Sequence, residues 1–194
     1  MKITDIKGPL KVCDLVINYN PEQSKLWNIE WNPDISNSIL NQNNNRCYFI
    51  VVNDEIYKIG YSDCQGGIRS TINTYCGSGN SGRPSDRTHG IHILIAEELL
   101  KGKKVELYFS YLVDIEIQIP LMNGEIENIK TTISGKILEE ANLKIYREVE
   151  KTFPKWNLQE ANIAWPKYIQ ESRVRLCQEG IKVKLEDLKS RLSI

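Results

Sequence analysis

The chain has 194 residues, 41% of them hydrophobic and 26% charged. That is enough for one domain with a core, or a core domain with appended arms, and too little for two full-sized domains. The 25 basic residues balance 25 acidic ones, a neutral total that excludes a strongly basic nucleic-acid coat or a highly charged disordered chain.

At the N-terminus, MKITDIKGPLKVCDLVI alternates charged and apolar residues where a secretory signal would be continuously apolar. No run approaches the roughly 18 apolar residues that span a bilayer. A cytoplasmic protein with no membrane partner is the expectation. Residues 1–45 read as an irregular N-terminal extension, anchored by Trp27 and Trp31 and closed by the polar run Asn41 to Asn45. CYFIVV, the turn pair Asn53-Asp54 and IYKIGYS then predict a β-hairpin. Gly66-Gly67 breaks the chain before a short helix over 68–75, and a Gly/Ser-rich loop follows over 76–88. HGIHILIAEELLKG predicts a helix ending near Gly102, and KVELYFSYLV a strand. A second hairpin is predicted over 113–132, a helix from Lys136 to Thr152 stopped by Pro154, and two helices in the last forty residues.

The neutral total hides a local imbalance. Residues 58–104 carry seven basic residues against four acidic ones, whereas 114–127 hold four acids and no base. The first stretch is expected to face phosphates and the second to face solvent or another subunit. The five cysteines form no CxxC pair, and the two histidines, His89 and His92, lie together. This argues against a disulfide framework and against a structural zinc site.

Several of these segments occur in a telling order. Cys47-Tyr48-Phe49 is followed ten residues on by Lys58-Ile59-Gly60, and Arg69 comes twenty-one residues after Tyr48. The GRPSDRT loop, a Leu138-Glu139 pair with Tyr146 seven residues beyond the glutamate, and a closing Pro154-Lys155-Trp156-Asn157 come later. In this order the features resemble the GIY-YIG nuclease superfamily, over roughly residues 46–157. Cys47 stands in place of the first glycine and Lys58 in place of the second tyrosine, a KIG form similar to that of some type II restriction endonucleases and phage-encoded proteins. Taken singly, the same residues are ordinary: a core tyrosine, a solvated lysine, a bulge glycine, a surface arginine, a helix glutamate.

The resemblance implies an α/β (α+β) fold, a small antiparallel sheet flanked by helices. The core would be 46–157 with 113–132 inserted, between an N-terminal extension and a helical extension over 158–194. It implies a metal-dependent endonuclease acting on double-stranded DNA, and it assigns roles. Hydrolysing a phosphodiester needs a poised water, neutralised phosphoryl oxygens and help for the leaving oxygen. Tyr48 would be the general base or would position the water. Lys58, a neighbour on the hairpin, would favour its phenolate. Arg69 would present a planar fork to the phosphate. A glutamate would hold Mg²⁺ (or Mn²⁺), with waters and phosphate oxygens completing the shell.

At about 100° per residue, Leu138, Ala141, Ile145, Val149 and Phe153 form one apolar stripe, expected to face the core. Glu139 lies on its flank beside Leu143 and Tyr146, and Glu140 nearly opposite. Glu139 is taken as the ligand, with Glu140 as the alternative. Gly60 would allow a close approach and Asn157 would fix the site by a hydrogen bond. Arg83, Arg87, His89 and Tyr61 are candidate DNA contacts; Tyr61 reads equally as a core residue sharing a face with Tyr57.

The expected function is a type II restriction endonuclease working as a homodimer on palindromic DNA. The rivals are a less specific phage or repair nuclease and a non-catalytic DNA-binding module with a degenerate site.

Overall fold

Asn53 and Asp54 both take positive φ, +46° and +67°, the backbone of a two-residue hairpin turn. They join β3 (Arg46–Val52) to β4 (Glu55–Ser62) in the expected hairpin. The structure, a computed structural model, describes every residue except 21–24, 64, 78–82 and 112–113. The hairpin belongs to a five-stranded antiparallel sheet in the order β2-β1-β5-β3-β4, with β1 spanning Leu10–Ile17, β2 Trp27–Trp31 and β5 Val105–Tyr111. The fold is thus α+β, an antiparallel sheet with helices on both faces.

Tyr48, Ile50 and Val52 point to one face, where they join residues of α2 (Gly67–Gly77) and α3 (Asp86–Leu100) in the larger core. Cys47, Phe49 and Val51 point to the other, against Leu143 and Tyr146 of α4 (Gly135–Glu150). After Arg46, β3 is therefore apolar at every position, as suits a strand covered on both faces. Short α1 (Asn37–Leu40) leads into the hairpin, and α5 (Lys167–Glu179) and α6 (Leu185–Leu192) pack outside α3. β6 (Asp114–Pro120) and β7 (Ile126–Thr132) form a separate two-stranded hairpin.

Two expectations need correction. The N-terminal stretch is not irregular: β1 and β2 are two of the five strands of the sheet. Asp14 lies opposite Glu106, a like-charged pair, and Lys11 and Lys104 each reach Glu106 at 2.7 Å to neutralise it. The helix expected from His89 begins earlier, at Asp86, because Ser85 caps it by accepting from the Thr88 amide at 3.1 Å.

The stripe on α4 is a third correction. The helix buries Glu139, Leu143 and Tyr146, while Ala141, Ile145 and Val149 face outward.

His92, on α3, is buried against Trp27, whose indole Nε1 donates to the His92 carbonyl at 3.0 Å. Burial, reinforced by neighbouring His89, holds its imidazole down at about 3 instead of the usual 6.5. The folded protein keeps His92 neutral where the unfolded chain would protonate it. Its contribution to stability is whole above about pH 6.5 and is lost as pH falls from there toward 3, at about 1.4 kcal/mol per pH unit. Urea denaturation at stepped pH is expected to show this slope in the wild type and a shallower one in His92→Phe. Parallel slopes would mean that His92 is not the titrating group.

Candidate active site at the β4 edge

The register of the hairpin sets the site. Tyr48 lies across from Gly60, and Ile50 across from Lys58, so Tyr48 and Lys58 are diagonal neighbours on one face. A bulge leaves Tyr57 without a partner between Ile56 and Lys58. Tyr57 therefore packs in the same core as Tyr48, against Trp156, and not on the face opposite Lys58 as strict alternation predicts. Gly60 is needed where it stands. A Cβ there would run into the ring and hydroxyl of Tyr48, so the missing side chain lets the phenol lie across β4 toward the sheet edge.

That edge is closed by the chain after α4. Asn157 is fully buried; its Oδ1 accepts from the Ile59 amide at 2.9 Å and its Nδ2 donates to the Ile59 carbonyl at 2.8 Å. The Trp156 amide donates to the Tyr57 carbonyl at 2.8 Å. One amide side chain thus serves as the missing next strand. On the opposite face, the Asp63 carboxylate accepts from the Gly135 amide at 3.2 Å and ties the end of β4 to the start of α4, one turn before Glu139.

Three of the predicted residues are buried and electrostatically linked, Tyr48 and Lys58 on the α2/α3 face of β3 and β4 and Glu139 on α4. Tyr48, Lys58 and Glu139 are 3%, 1% and 5% exposed, and their ionisations are linked. Burial pushes Lys58 down to about 8; Glu160 opposes this most strongly, Arg87 adds to it, and Glu139 and Cys47 oppose it. Burial pushes Glu139 up to about 7, with Lys58 pulling it back, Glu160 adding to the rise and Arg87 here opposing it. Glu139 Oε1 is buried with no hydrogen-bond partner, whereas Glu140 lies outside, 3.7 Å from Lys136.

The surroundings of Tyr48 favour its neutral phenol. The Tyr48 hydroxyl is hydrogen-bonded to that of Tyr75 at 2.5 Å. Burial and Tyr75 together hold the Tyr48 phenol well above its usual 10, and Arg87 is the charge that opposes them.

Tyr75, Arg87 and Glu160 complete the cluster. Arg87 donates to Gln159 at 2.7 Å and to Glu160 at 2.9 Å, tying α3 to the turn after Asn157. The role of Glu160 escaped the sequence reading, although it lies only three residues beyond Asn157. Arg87 was expected to read a DNA groove; the structure places it within the field of Tyr48, Lys58 and Glu139. Arg69 is not brought to the cluster. Its guanidinium lies 4.5 Å over the Trp31 ring and donates to Asn37 at 2.6 Å, lining an open cleft of about 500 Å³ with Gly66, Ser70 and Asn73.

Among the proposed DNA contacts, Arg83 is exposed and Tyr61 half-buried. His89 is corrected: it is 1% exposed and hydrogen-bonded to Ser172 of α5 at 2.9 Å, so it braces two helices and cannot reach a groove. The basic stretch is also largely spent on internal pairs. Lys101 and Lys103 reach Glu98 at 2.6 and 2.5 Å, and Lys104 reaches Glu106.

No protein-family model matches the chain, and no curated protein matches it. Among the solved structures that resemble it are two nucleases. A mutant of bacteriophage T4 EndoII is 21% identical, covering 81% of this chain and 99% of its own, with a TM-score of 0.48. The restriction endonuclease HPY188I in complex with product DNA is 19% identical, covering 79% of this chain and 84% of its own, with a TM-score of 0.41.

Among the described residues there is no cluster of three or more histidine, cysteine or acidic side chains, and no helix is long and apolar enough to cross a membrane. The donor set is one buried carboxylate whose Oε1 has no partner, electrostatically coupled to a second, Glu160, which pairs with Arg87. That suits Mg²⁺, which keeps most of its waters and takes one or two carboxylates. It does not suit a transition-metal cage.

Proposed function

We propose that the chain is an endonuclease that hydrolyses phosphodiester bonds of double-stranded DNA with a divalent metal. One observation supports the reading: Tyr48, Lys58 and Glu139 are each buried and electrostatically coupled, with Glu139 Oε1 left unpartnered. Nothing structural requires a lysine and a glutamate there, since burying each is costly. Function explains their cost.

In this reading the Tyr48 hydroxyl orients the attacking water, the neutral Lys58 amine takes the proton that the water loses as its oxygen bonds to phosphorus, and the leaving oxygen takes a proton from solvent as its bond to phosphorus breaks. Glu139 would hold Mg²⁺ (or Mn²⁺), which would supply charge neutralisation on the phosphoryl and leaving oxygens. Arg87 supplies positive charge beside the pocket, and Arg69, in its own cleft, holds the phosphate backbone further along. Asn157 and Gly60 set the positions of the hydroxyl and the ammonium. Two copies, one for each strand, would make a site-specific restriction endonuclease acting as a homodimer.

The test is digestion of mixed unmethylated DNA with Mg²⁺, beside EDTA and Tyr48→Phe. Discrete fragments, lost with EDTA and reduced about 10²-fold or more by Tyr48→Phe, are expected. A Mg²⁺-dependent smear would replace the restriction reading with that of a less specific nuclease. Binding without cleavage under any divalent ion would leave a DNA-binding module.

A further inference from the structure

Two tyrosine hydroxyls meet at the tip of the Tyr48 ring. Tyr48 on β3 and Tyr75 in the last turn of α2 are both buried, and their hydroxyl oxygens lie 2.5 Å apart. The rings stand edge to face, with centroids 6.2 Å apart and planes at 64°, a favoured aromatic arrangement. α2 holds Tyr75 in place by burying Ile68, Ile72 and Cys76 with it. Gly60 lets the Tyr48 ring lie across β4. The strand thus fixes the body of Tyr48, and Tyr75 meets its hydroxyl. Packing alone does not call for this pair, since phenylalanine would fill either space and each buried hydroxyl carries a desolvation cost.

A phenol carries one hydrogen and can accept as well as donate. Between two hydroxyls, one oxygen donates and the other accepts. Burial raises both phenols, and the bond between them raises Tyr48 further while drawing Tyr75 back. Those directions follow when Tyr48 donates and Tyr75 accepts. The direction bears on the reaction. A water that attacks phosphorus must direct a lone pair at it. A tyrosine hydrogen aimed at that water would draw on the electrons phosphorus must receive, whereas a tyrosine oxygen would accept one of the water's hydrogens. With its own hydrogen committed to Tyr75, Tyr48 can only accept. One water hydrogen then goes to the Tyr48 oxygen, and the other is left for the amine of Lys58, the diagonal neighbour on β4. Both phenols keep their protons throughout the step.

We propose that Tyr75 is a positioning residue of the nuclease site: its hydroxyl accepts the Tyr48 hydrogen, so that the Tyr48 oxygen meets the attacking water as an acceptor. The proposal rests on the nuclease reading above. Tyr75 itself touches neither the water nor the DNA and acts through Tyr48 alone.

The test is single-turnover cleavage, with Mg²⁺ and excess protein, of a DNA fragment that the wild type cuts. Wild type, Tyr75→Phe, Tyr48→Phe and the double variant are compared, beside gel-shift binding of the same fragment. Tyr75→Phe keeps the ring and is expected to slow cleavage at least about tenfold, the scale of a misplaced reacting group, with binding unchanged. The double variant is expected to be no slower than Tyr48→Phe, because a residue that acts only through the Tyr48 hydroxyl has nothing left to act on. It also removes both partners of the buried bond at once, so its fold should persist, as circular dichroism would show. A Tyr75 that only braced the fold would slow Tyr48→Phe by its own full factor. That result overturns the proposal, and so does Tyr75→Phe cutting at the wild-type rate or losing its rate through weaker binding. A wild type that cuts no DNA with any divalent ion fails the nuclease reading itself, before any variant is compared, and takes the proposal with it.

Discussion

Glu139→Gln is expected to lower DNA cleavage by about 10³-fold, the scale of removing one charge-stabilising group from an active site, while the fold persists. The substitution keeps the shape of the side chain and removes its charge. In the folded protein that carboxyl sits at 5% exposure with Oε1 unpartnered, so no structural hydrogen bond from Oε1 is lost. Lys58 keeps Glu160, its strongest acidic neighbour, and is not left as an isolated buried charge. The unfolding midpoint should therefore move by less than the equivalent of about 1 kcal/mol, because one buried carboxylate is exchanged for an amide of similar size. Single-turnover cleavage with excess protein, beside a gel-shift measurement of binding, separates lost chemistry from lost affinity. Glu140→Gln is the matched control: that residue is exposed and paired with Lys136, and its variant should cut as the wild type does. Equal cleavage by Glu139→Gln and the wild type would remove the proposed metal ligand, and loss in Glu140→Gln alone would transfer the role.

The β3–β4 hairpin was legible because its signals are local: two apolar runs and a turn pair that tolerates positive φ. The helices were legible for the same reason, to within a few residues. β1 and β2 were not. Leu10–Ile17 pairs with Val105–Tyr111 across more than ninety positions, and the charges that alternate along it read as irregular until Lys11 and Lys104 are seen closing on Glu106. The site divides in the same way. Tyr48, Lys58 and Glu139 stand at recognisable spacings. Tyr75 and Glu160 join them only because α2 lies over Tyr48 and the turn after Asn157 doubles back to Arg87. The choice of Glu139 over Glu140 was argued from a face of α4 that the structure turns outward. Hydrophobicity alone gave the core to Ile145 and Val149, yet the structure buries Leu143 and Tyr146 beside Glu139. A helix with two apolar ridges has no sequence signal telling which one meets the sheet.

Asn157→Ala is expected to destabilise the protein by about 2–4 kcal/mol, since two buried backbone groups each lose a partner at about 1–3 kcal/mol. β4 is the last strand of the sheet, and an edge strand leaves alternate amides and carbonyls without a ladder. Here the edge is buried, and the Ile59 amide and carbonyl are both satisfied by one side chain. Truncation removes both bonds and leaves a void too confined for a full set of replacement waters. The effect is local in origin. Ile59 lies between Lys58 and Gly60, so a loosened edge displaces the ammonium and the backbone over which the Tyr48 phenol lies. Cleavage should fall further than stability alone accounts for at temperatures where the variant remains folded. Hydrogen exchange supplies the specific readout: the Ile59 amide should be protected in the wild type and exchange much faster in the variant, while amides in the β1–β5 ladder change only with global stability. A variant within about 0.5 kcal/mol of wild type, the ordinary range for a surface substitution, with Ile59 still protected, would show that the edge is held by other contacts, the Trp156–Tyr57 bond first among them.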